Sequence, residues 1–374
     1  MIKGINLTLM IGPAVPVPVS QEVLEALTSV KVTSTTEGAS GFELTFTLSN
    51  RSPLTTLFLL SGGNSIPLVR VMIVVTINGT PEVLMDGVMT NHEITPGQSG
   101  QSTLTVIGED LTRVMDYIDF SGIPYPAMPV EARIALILAK YTVLGVVPVV
   151  IPTMFTEVPI PTQQIPRQQG KDLGYIRELA RDAGYIFYIE PGPIPGMNIA
   201  YWGPEIKTGI PQPALNINMD AHTNVETLSF NFNSEAKTQP IVYIHNELTK
   251  VPIPIPVPDF SLLNPPLGMV LPIAKNINQI NGAAKFSPVK AALAGIAQAS
   301  GTSDVVTASG SLNVLRYGHV LKARRLVGVR GAGTAFDGLY YVKSVTHNIK
   351  RGEYKENFTL SRNGLISTLP VVPV

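Results

Sequence analysis

The chain has no cysteine among its 374 residues. That absence excludes a disulfide framework, a thiolate metal site and a cysteine nucleophile. Dense runs of lysine or arginine are also missing, and the formal net charge is zero. Nucleic acids and anionic membranes are held chiefly by basic patches. We therefore expect no nucleic-acid partner.

Long apolar runs are missing as well. The most apolar segments, 66–77 and 134–151, are each interrupted by charged or helix-breaking residues. Neither provides the roughly 20 apolar residues that a membrane-spanning helix needs. The first four residues carry no apolar signal-peptide stretch. We expect no membrane span and assembly in the cytoplasm.

Charged side chains are scarce at 14% of the chain, whereas hydrophobic residues make up 45%. A surface with so few charges has large neutral areas, which usually mark contacts with partners. We therefore expect other subunits to cover part of the surface. The alternative is a monomer whose exterior is rich in serine, threonine, asparagine and glutamine.

The 32 prolines and 32 glycines interrupt the chain often, which favours many short strands over long helices. Segments such as 41–48, 83–88 and 102–107 are alternating or β-branched and predict strands. The predicted fold class is mainly β with an inserted α+β module, and with two tandem similar β-barrel or β-sandwich domains. The predicted divisions are a first β-barrel domain (1–115), a helix-containing α+β module (116–210) and a second β-barrel domain (211–374) with an inserted proline-rich and helical segment (about 250–311).

Two segments in the middle of the chain predict helices. Residues 129–141 open with proline, which suits a first turn, and continue with strong helix formers. Residues 172–183 place their apolar side chains on one face. Asp172 is expected to cap this second helix, and Gly184 to be the left-handed residue that ends it.

Three further segments have patterns of their own. Residues 185–189 and 197–202 predict a strand pair after the second helix, and Trp202 is expected to be buried there. Residues 251–258 alternate proline with β-branched residues, which is typical of a polyproline-like connector or a sheet edge. Residues 288–299 predict a third helix.

Two parts of the predicted β structure resemble each other. In each part an Asp-Gly pair precedes a histidine, and a glycine follows five residues after that histidine. The Asp-Gly pair is expected to start a strand from a turn, and the later glycine to lie in a hairpin loop. A tandem duplication explains the similarity better than chance, which is the alternative. The repeated residues are Asp86, Gly87, His92 and Gly97 in the first part and Asp337, Gly338, His347 and Gly352 in the second.

Catalytic and cofactor motifs are not apparent. The five histidines lack the close spacing of metal ligands, and there is no nucleophile elbow, Walker loop or dinucleotide fingerprint. We expect no enzyme activity, no metal site and no cofactor. A glycosidase remains an alternative, because it needs only two carboxylates that the fold brings together.

A modest basic group lies near the C-terminus and is expected on strands. A solvated strand face is the simpler interpretation of these residues. Contact with an acidic surface of another subunit is the more specific interpretation. The residues of this basic group are Arg316, Lys322, Arg324, Arg325 and Arg330.

Three stretches resemble the phage late control D family, which comprises phage baseplate hubs and the hub-forming half of VgrG proteins. GKDLGYIRELARDAGYIFY at 170–188 is similar to the family's helix-then-strand signature. FDGLYYVKSVTH at 336–347 resembles its closing strands, and the segment around Asp86 and Gly87 is a weaker first copy. The stretches occur in the family's order and span most of the chain.

The resemblance implies a structural role. Members of the family are trimers in which two similar β domains per subunit form a ring of six near-equivalent units. A homotrimeric baseplate hub is therefore expected, joining a central spike to the first tail-tube ring and contacting other baseplate subunits in a virion tail or injection particle. VgrG proteins continue into a needle after the hub, so the spike is expected to be a separate protein here. The alternatives are the hub of a non-contractile phage tail and, from a different class, a cell-wall glycosidase or carbohydrate-binding β protein.

Overall fold

Strands predominate in the structure, and helices are few and short. This confirms the predicted fold class, mainly β with an inserted α+β module. The computed structural model describes residues 5–13, 15–48, 68–97, 101–153, 158–245, 252–256, 264–279 and 304–369.

The N-terminal unit consists of seven strands and one short helix. Alternating burial along its strands shows where the core lies. In the strand Gly41–Leu48, the side chains of Phe42, Leu44 and Phe46 are buried, and the residues between them lie on the other face. A 3₁₀ turn at Leu111–Asp116 leads out of the unit. Its elements are β1 (Ile5–Gly12), β2 (Val17–Pro18), α1 (Gln21–Ala26), β3 (Leu27–Thr35), β4 (Gly41–Leu48), β5 (Arg70–Ile77), β6 (Thr80–Pro96) and β7 (Ser102–Asp110).

The α+β module follows and has its own hydrophobic core around Trp202, which is 0% exposed as predicted. Its sheet has the order β8-β10-β9, with β8 and β10 parallel. Residues on both faces of β5 are buried, and the module contacts this strand. The Arg70 side chain at the start of β5 donates to the Leu144 carbonyl of the module at 2.7 Å. The module's elements are α2 (Val130–Ala139), β8 (Val146–Val150), α3 (Asp172–Ala183), β9 (Ile186–Pro191) and β10 (Asn198–Gly203).

Both middle helices form where the sequence predicts them, with differences at their ends. Gly184 ends α3 with a left-handed φ of 72°, as expected. Asp172, however, is the first helical residue rather than the cap. Its buried carboxylate instead accepts from Tyr141 Oη at 2.7 Å and Gln168 Nε2 at 2.6 Å. None of the described helices is long and apolar enough to cross a membrane.

The C-terminal unit returns to strands, with β13, β14 and β16 in a separate small sheet and β15 paired with β21. Pro252–Pro256 forms an edge strand against β13, which confirms the sheet-edge interpretation of that segment. The predicted third helix, 288–299, lies outside the described residues. The elements are β11 (Gln212–Asn216), β12 (Val225–Phe232), β13 (Thr238–His245), β14 (Pro252–Pro256), β15 (Gly268–Val270), β16 (Asn276–Gln279), β17 (Val306–Asn313), α4 (Val314–Tyr317), β18 (Leu326–Arg330), β19 (Gly338–Lys350), β20 (Glu353–Arg362) and β21 (Leu365–Ser367).

The two units share one strand order. The N-terminal strands lie in the order β3-β4-β7-β6-β5-β1, and the C-terminal strands in the order β12-β17-β20-β19-β18-β11. Each of these orders contains six strands; β2, β13–β16 and β21 are not part of them. If the six strands are numbered along the chain, both orders read two, three, six, five, four, one. A single departure occurs at the end, where β1 pairs antiparallel with β5 but β11 pairs parallel with β18. The chain therefore contains two similar β units in tandem.

One junction fuses the two units into a 13-stranded sheet. Residues Ser344–Lys350 of β19 pair antiparallel with Ser29–Thr35 of β3. Buried side chains from both units, including Val32 and Val345, then form one continuous core. The β3–β19 junction lies between strands more than 300 residues apart in sequence. Local sequence patterns therefore do not predict it.

Candidate subunit interface

Uncharged polar side chains form rows across one face of the large sheet, on the side opposite the core. In one row, Ser229, Ser309, Thr359, Ser344 and Thr35 lie opposite one another on successive strands. The pattern is continuous from the C-terminal unit across the β3–β19 junction into the N-terminal unit. We call this surface the hydroxyl face.

A second row runs parallel to the first and extends the hydroxyl face. It consists of Thr227, Ser311, Asn357, Thr346 and Thr33. Thr227 Oγ1 lies 2.8 Å from Ser311 Oγ, and Thr33 Oγ1 lies 3.2 Å from Thr346 Oγ1. The period-two Ser/Thr pattern is visible in the sequence, but its assignment to one shared face needs the strand pairing, and sequence reasoning missed it.

The repeated histidines occupy equivalent strands with different burial. His347 in β19 is 3% exposed, and its Nδ1 lies 3.1 Å from both Glu356 Oε1 and Tyr354 Oη. Burial and the Glu356 charge raise the pKa of Tyr354 well above its usual value. His92 in β6 is only half-buried. Glu356 also accepts from the Leu321 backbone, so this cluster fastens the loop before β18 to the sheet.

The repeated Asp-Gly pairs do not occupy equivalent places. Asp337 and Gly338 lie where β19 begins, as predicted, and Asp337 accepts from the Ala332 backbone at 2.7 Å. Asp86 and Gly87 lie inside β6, so the expectation that they start a strand is wrong. That strand begins at Thr80, after a turn in which Asn78 has a φ of 50° and Gly79 a φ of 85°.

The later glycines, Gly97 and Gly352, both lie between the strands of a hairpin. Gly97 follows the last residue of β6, and Gly352 lies in the turn between β19 and β20 with a φ of 82°.

Replacing Gly338 with alanine is expected to destabilise the protein by about 3 kcal/mol or more. Gly338 has a φ of 120°, and a Cβ there would lie 2.0 Å from Ser367 Cβ. Gly352→Ala is the matched control, because its φ is 82° but nothing lies within 4 Å of the added atom. We expect about 1–2 kcal/mol for that control. Denaturant unfolding measures both, and equal effects would contradict the steric argument.

The basic group mostly makes contacts inside the chain. Lys322 Nζ lies 2.6 Å from Glu82 Oε2, and Arg325 Nη2 lies 2.8 Å from Glu190 Oε1. Arg324 donates to the Thr35 carbonyl and stacks over the Tyr188 ring at 4.1 Å. These three residues precede β18 rather than lying on strands, which corrects the prediction. They tie the C-terminal unit to the N-terminal unit and to the module.

Two members of the basic group remain apart from these contacts. Arg316 is an exposed residue of α4, and Arg330 is the half-buried last residue of β18.

A buried charge cluster joins the end of the module to β17. Asp304 Oδ1 lies 3.1 Å from Lys207 Nζ, and Asp304 Oδ2 accepts from Ser361 Oγ at 2.7 Å. Lys343 Nζ is 3.7 Å from the same carboxylate. Burial raises the pKa of Asp304, but the two ammonium groups and the Ser361 hydroxyl together lower it by more than burial raises it. The net pKa therefore lies below the usual value.

The stability contributed by Asp304 is expected to depend on pH. A carboxyl whose pKa is lowered by folding contributes stability above its unfolded pKa and loses it as the pH falls through the folded value. Asp304→Asn should therefore lower the free energy of unfolding by at least about 2 kcal/mol at pH 7. The difference from the unmodified protein should close below about pH 4. A difference that stays constant from neutral to acid pH would contradict this account; urea unfolding at several pH values measures it.

Metal ligation has no evident site in the part of the chain that the structure describes. There, no group of three or more His, Asp or Glu side chains could hold a metal ion.

Comparison with known proteins identifies the fold. No family model matches the sequence, and no curated protein sequence matches it. A tail protein from Neisseria meningitidis MC58 superposes with a TM-score of 0.62 at 13% identity, covering 97% of this chain and 98% of that one. The 43 kDa tail protein of prophage MuSo2 from Shewanella oneidensis gives 0.59 at 14% identity, with 96% and 98% covered.

A third structure extends the likeness beyond tail proteins. The Francisella PdpA–VgrG complex gives a TM-score of 0.60 at 9% identity, covering 100% of this chain and 55% of that chain. At such identities the likeness concerns the fold. The chain therefore shares its fold with these two tail proteins and with the VgrG complex, over nearly its whole length.

Proposed function

We propose that the chain is a structural baseplate hub of a contractile injection machine. Three copies form a ring with six near-equivalent β units, which joins a separate central spike to the first tail-tube ring and contacts other baseplate subunits. The protein is assembled in the cytoplasm and becomes part of a virion tail or injection particle. The names of the structures that share its fold, two tail proteins and a VgrG complex, support this placement.

The duplicated strand order carries the proposal. A threefold spike and a sixfold tube have different symmetries, and a subunit with two equivalent units lets a trimer present six similar surfaces. The shared order of β3-β4-β7-β6-β5-β1 and β12-β17-β20-β19-β18-β11 provides such a pair of units. The proposed divisions are 1–115 and 211–374 for the two hub domains and 116–210 for the module.

The hydroxyl face is proposed to line the channel of the ring. Serine, threonine and asparagine side chains hydrogen-bond water but carry no charge, so the two rows give a wetted wall without strong electrostatic binding sites. Their continuity across the β3–β19 junction fits a wall that passes smoothly from one unit to the next.

The role is proposed to be structural rather than enzymatic. Three acids pair with a basic side chain or a histidine and hold parts of the fold together: Asp86 with Arg70, Asp304 with Lys207, and Glu356 with His347. Arg316 and Arg330 are the members of the basic group left for contacts with a neighbouring subunit.

Mass measurement of the purified protein tests the proposal. A trimer of about 120 kDa is expected, three times the chain mass of 40.1 kDa. A mass near 40.1 kDa at every concentration, in native mass spectrometry or sedimentation, would refute the ring.

A further inference from the structure

The two units inside one chain meet at the β3–β19 junction. At the β3–β19 junction, His347 lies opposite Val32, and Thr346 lies opposite Thr33. The pairing hides the edge of β3 and the second half of β19, and Ile349 there is 7% exposed. Each unit possesses both parts of this junction, since β12 corresponds to β3 and β6 corresponds to β19.

The corresponding edges are open. Within the described residues, β12 pairs only with β17, and the part of β6 after Met89 pairs only with β7. Burial follows the pairing: Ile94 is 38% exposed whereas its counterpart His347 is 3% exposed, and Phe232 at the end of β12 is 40% exposed. Unpaired strand edges with apolar side chains invite association, and natural sheets usually cover them.

Strand registers define how the open edges would meet. The bulge in β6 follows Met89, and the equivalent bulge in β19 follows Val342. The backbone N–H of each of these residues donates to the residue just before the next strand, β5 or β18. Met89 therefore corresponds to Val342, and Glu93 to Thr346.

The same step carries the register to β12. The bulge in β3 follows Leu27, and the equivalent bulge in β12 follows Val225. Asn231 thus corresponds to Thr33, as Glu93 corresponds to Thr346.

We infer that β12 of one copy pairs antiparallel with the second half of β6 of the next copy, with Asn231 opposite Glu93 and Ser229 opposite Thr95. The inference rests on the proposed ring and names the surfaces that close it. The occupant of each edge is a second copy of this chain, because the complementary edge is the counterpart of the one that satisfies it inside the chain. In a trimer, junctions within chains alternate with junctions between chains, and the hydroxyl face continues through both.

Engineered disulfides test the inference on a chain with no native cysteine. Glu93→Cys combined with Asn231→Cys should give covalent three-chain species on mild oxidation, seen on denaturing gels and reversed by reductant. Directly opposed residues in an antiparallel pair have Cα atoms about 4.5–5.5 Å apart, within the reach of a disulfide. Each single variant should run as one chain.

Three matched variants make the result interpretable. Thr33→Cys with Thr346→Cys is the internal counterpart and should cross-link within one chain. Glu93→Cys with Ser229→Cys is shifted by two residues on the same face and should cross-link at least about tenfold more slowly. Thr95→Cys with Ser229→Cys is a second pair in the inferred register, should the first pair fail to fold.

The outcomes separate the inference from the proposed function. Failure of both in-register pairs in a protein that is a trimer by mass, or equal rates for the shifted pair, would overturn the inferred pairing and leave the ring. A protein that stays monomeric by mass would overturn the ring itself.

Discussion

Replacing Asp86 with alanine is expected to lower the free energy of unfolding by about 3–5 kcal/mol. The Asp86 carboxylate accepts from Arg70 Nε at 2.7 Å and Nη2 at 2.6 Å, and from the Asn198 amide at 2.8 Å. Asp86 is 2% exposed and Arg70 is 3% exposed. Truncation leaves a buried guanidinium whose charge Asp86 no longer neutralises, and it loosens the module from β5 and β6. Chemical unfolding followed by circular dichroism measures the effect.

Two controls test whether burial causes the effect of Asp86→Ala. Asp116→Ala removes the partly exposed partner of Arg113, 3.5 Å away, and of Lys171, 3.6 Å away, and should cost only about 0–1 kcal/mol. Arg70→Met combined with Asp86→Leu removes both buried charges and should recover part of the loss. An Asp86→Ala effect as small as that of Asp116→Ala would contradict the account.

Replacing Trp202 with alanine is expected to destabilise the protein by about 3–5 kcal/mol. Trp202 is fully buried in the core of the module, and its ring meets that of Tyr185 edge-on with centroids 4.8 Å apart. The alanine variant leaves a cavity that the surrounding strands and helices cannot fill. Thermal or denaturant unfolding measures the loss.

Trp202→Phe is the control for volume. The Trp202 Nε1 has no hydrogen-bond partner among the described residues, so phenylalanine removes no satisfied bond. We expect a loss of about 1–2 kcal/mol. Trp202 is also the one tryptophan of the chain, and acrylamide should quench its fluorescence far more slowly than it quenches free indole. Quenching as fast as that of free indole would show that the residue is exposed.

Local patterns predicted the elements of the fold well. Residues 41–48 alternate and form β4 with those bounds, and the apolar face of 172–183 becomes α3, ended by Gly184. The first residue of α3 was harder to predict. Asp172 has a side chain that is typical of a helix cap, but its carboxylate instead accepts hydrogen bonds from Tyr141 and Gln168. Propensity does not include such tertiary partners.

The arrangement of the sheet could be predicted only in part. The histidine repeat indicated equivalent hairpins, but the two histidines are out of register, because the strand bulges make Ile94 the counterpart of His347. The Asp-Gly part of the repeat misled, because Asp86 is needed in mid-strand to neutralise Arg70. The β3–β19 junction depends on residues distant in sequence and left no local signal.

The candidate interface was the least accessible to sequence reasoning. Alternating serine and threonine is visible along single strands, but its meaning appears only when Ser229, Ser309 and Thr359 come into one row. The basic group attracted notice by its charge, yet Lys322, Arg324 and Arg325 find partners within the chain. Charge density alone does not distinguish internal ties from contacts between subunits.

Single-particle electron microscopy of the purified protein tests the central claim, that two equivalent units per chain let three chains imitate a hexamer. Projections along the axis should show a ring of six similar lobes at low resolution, resolving to threefold symmetry at high resolution. Solitary particles, or a ring whose lobes do not come in three alternating pairs, would contradict it.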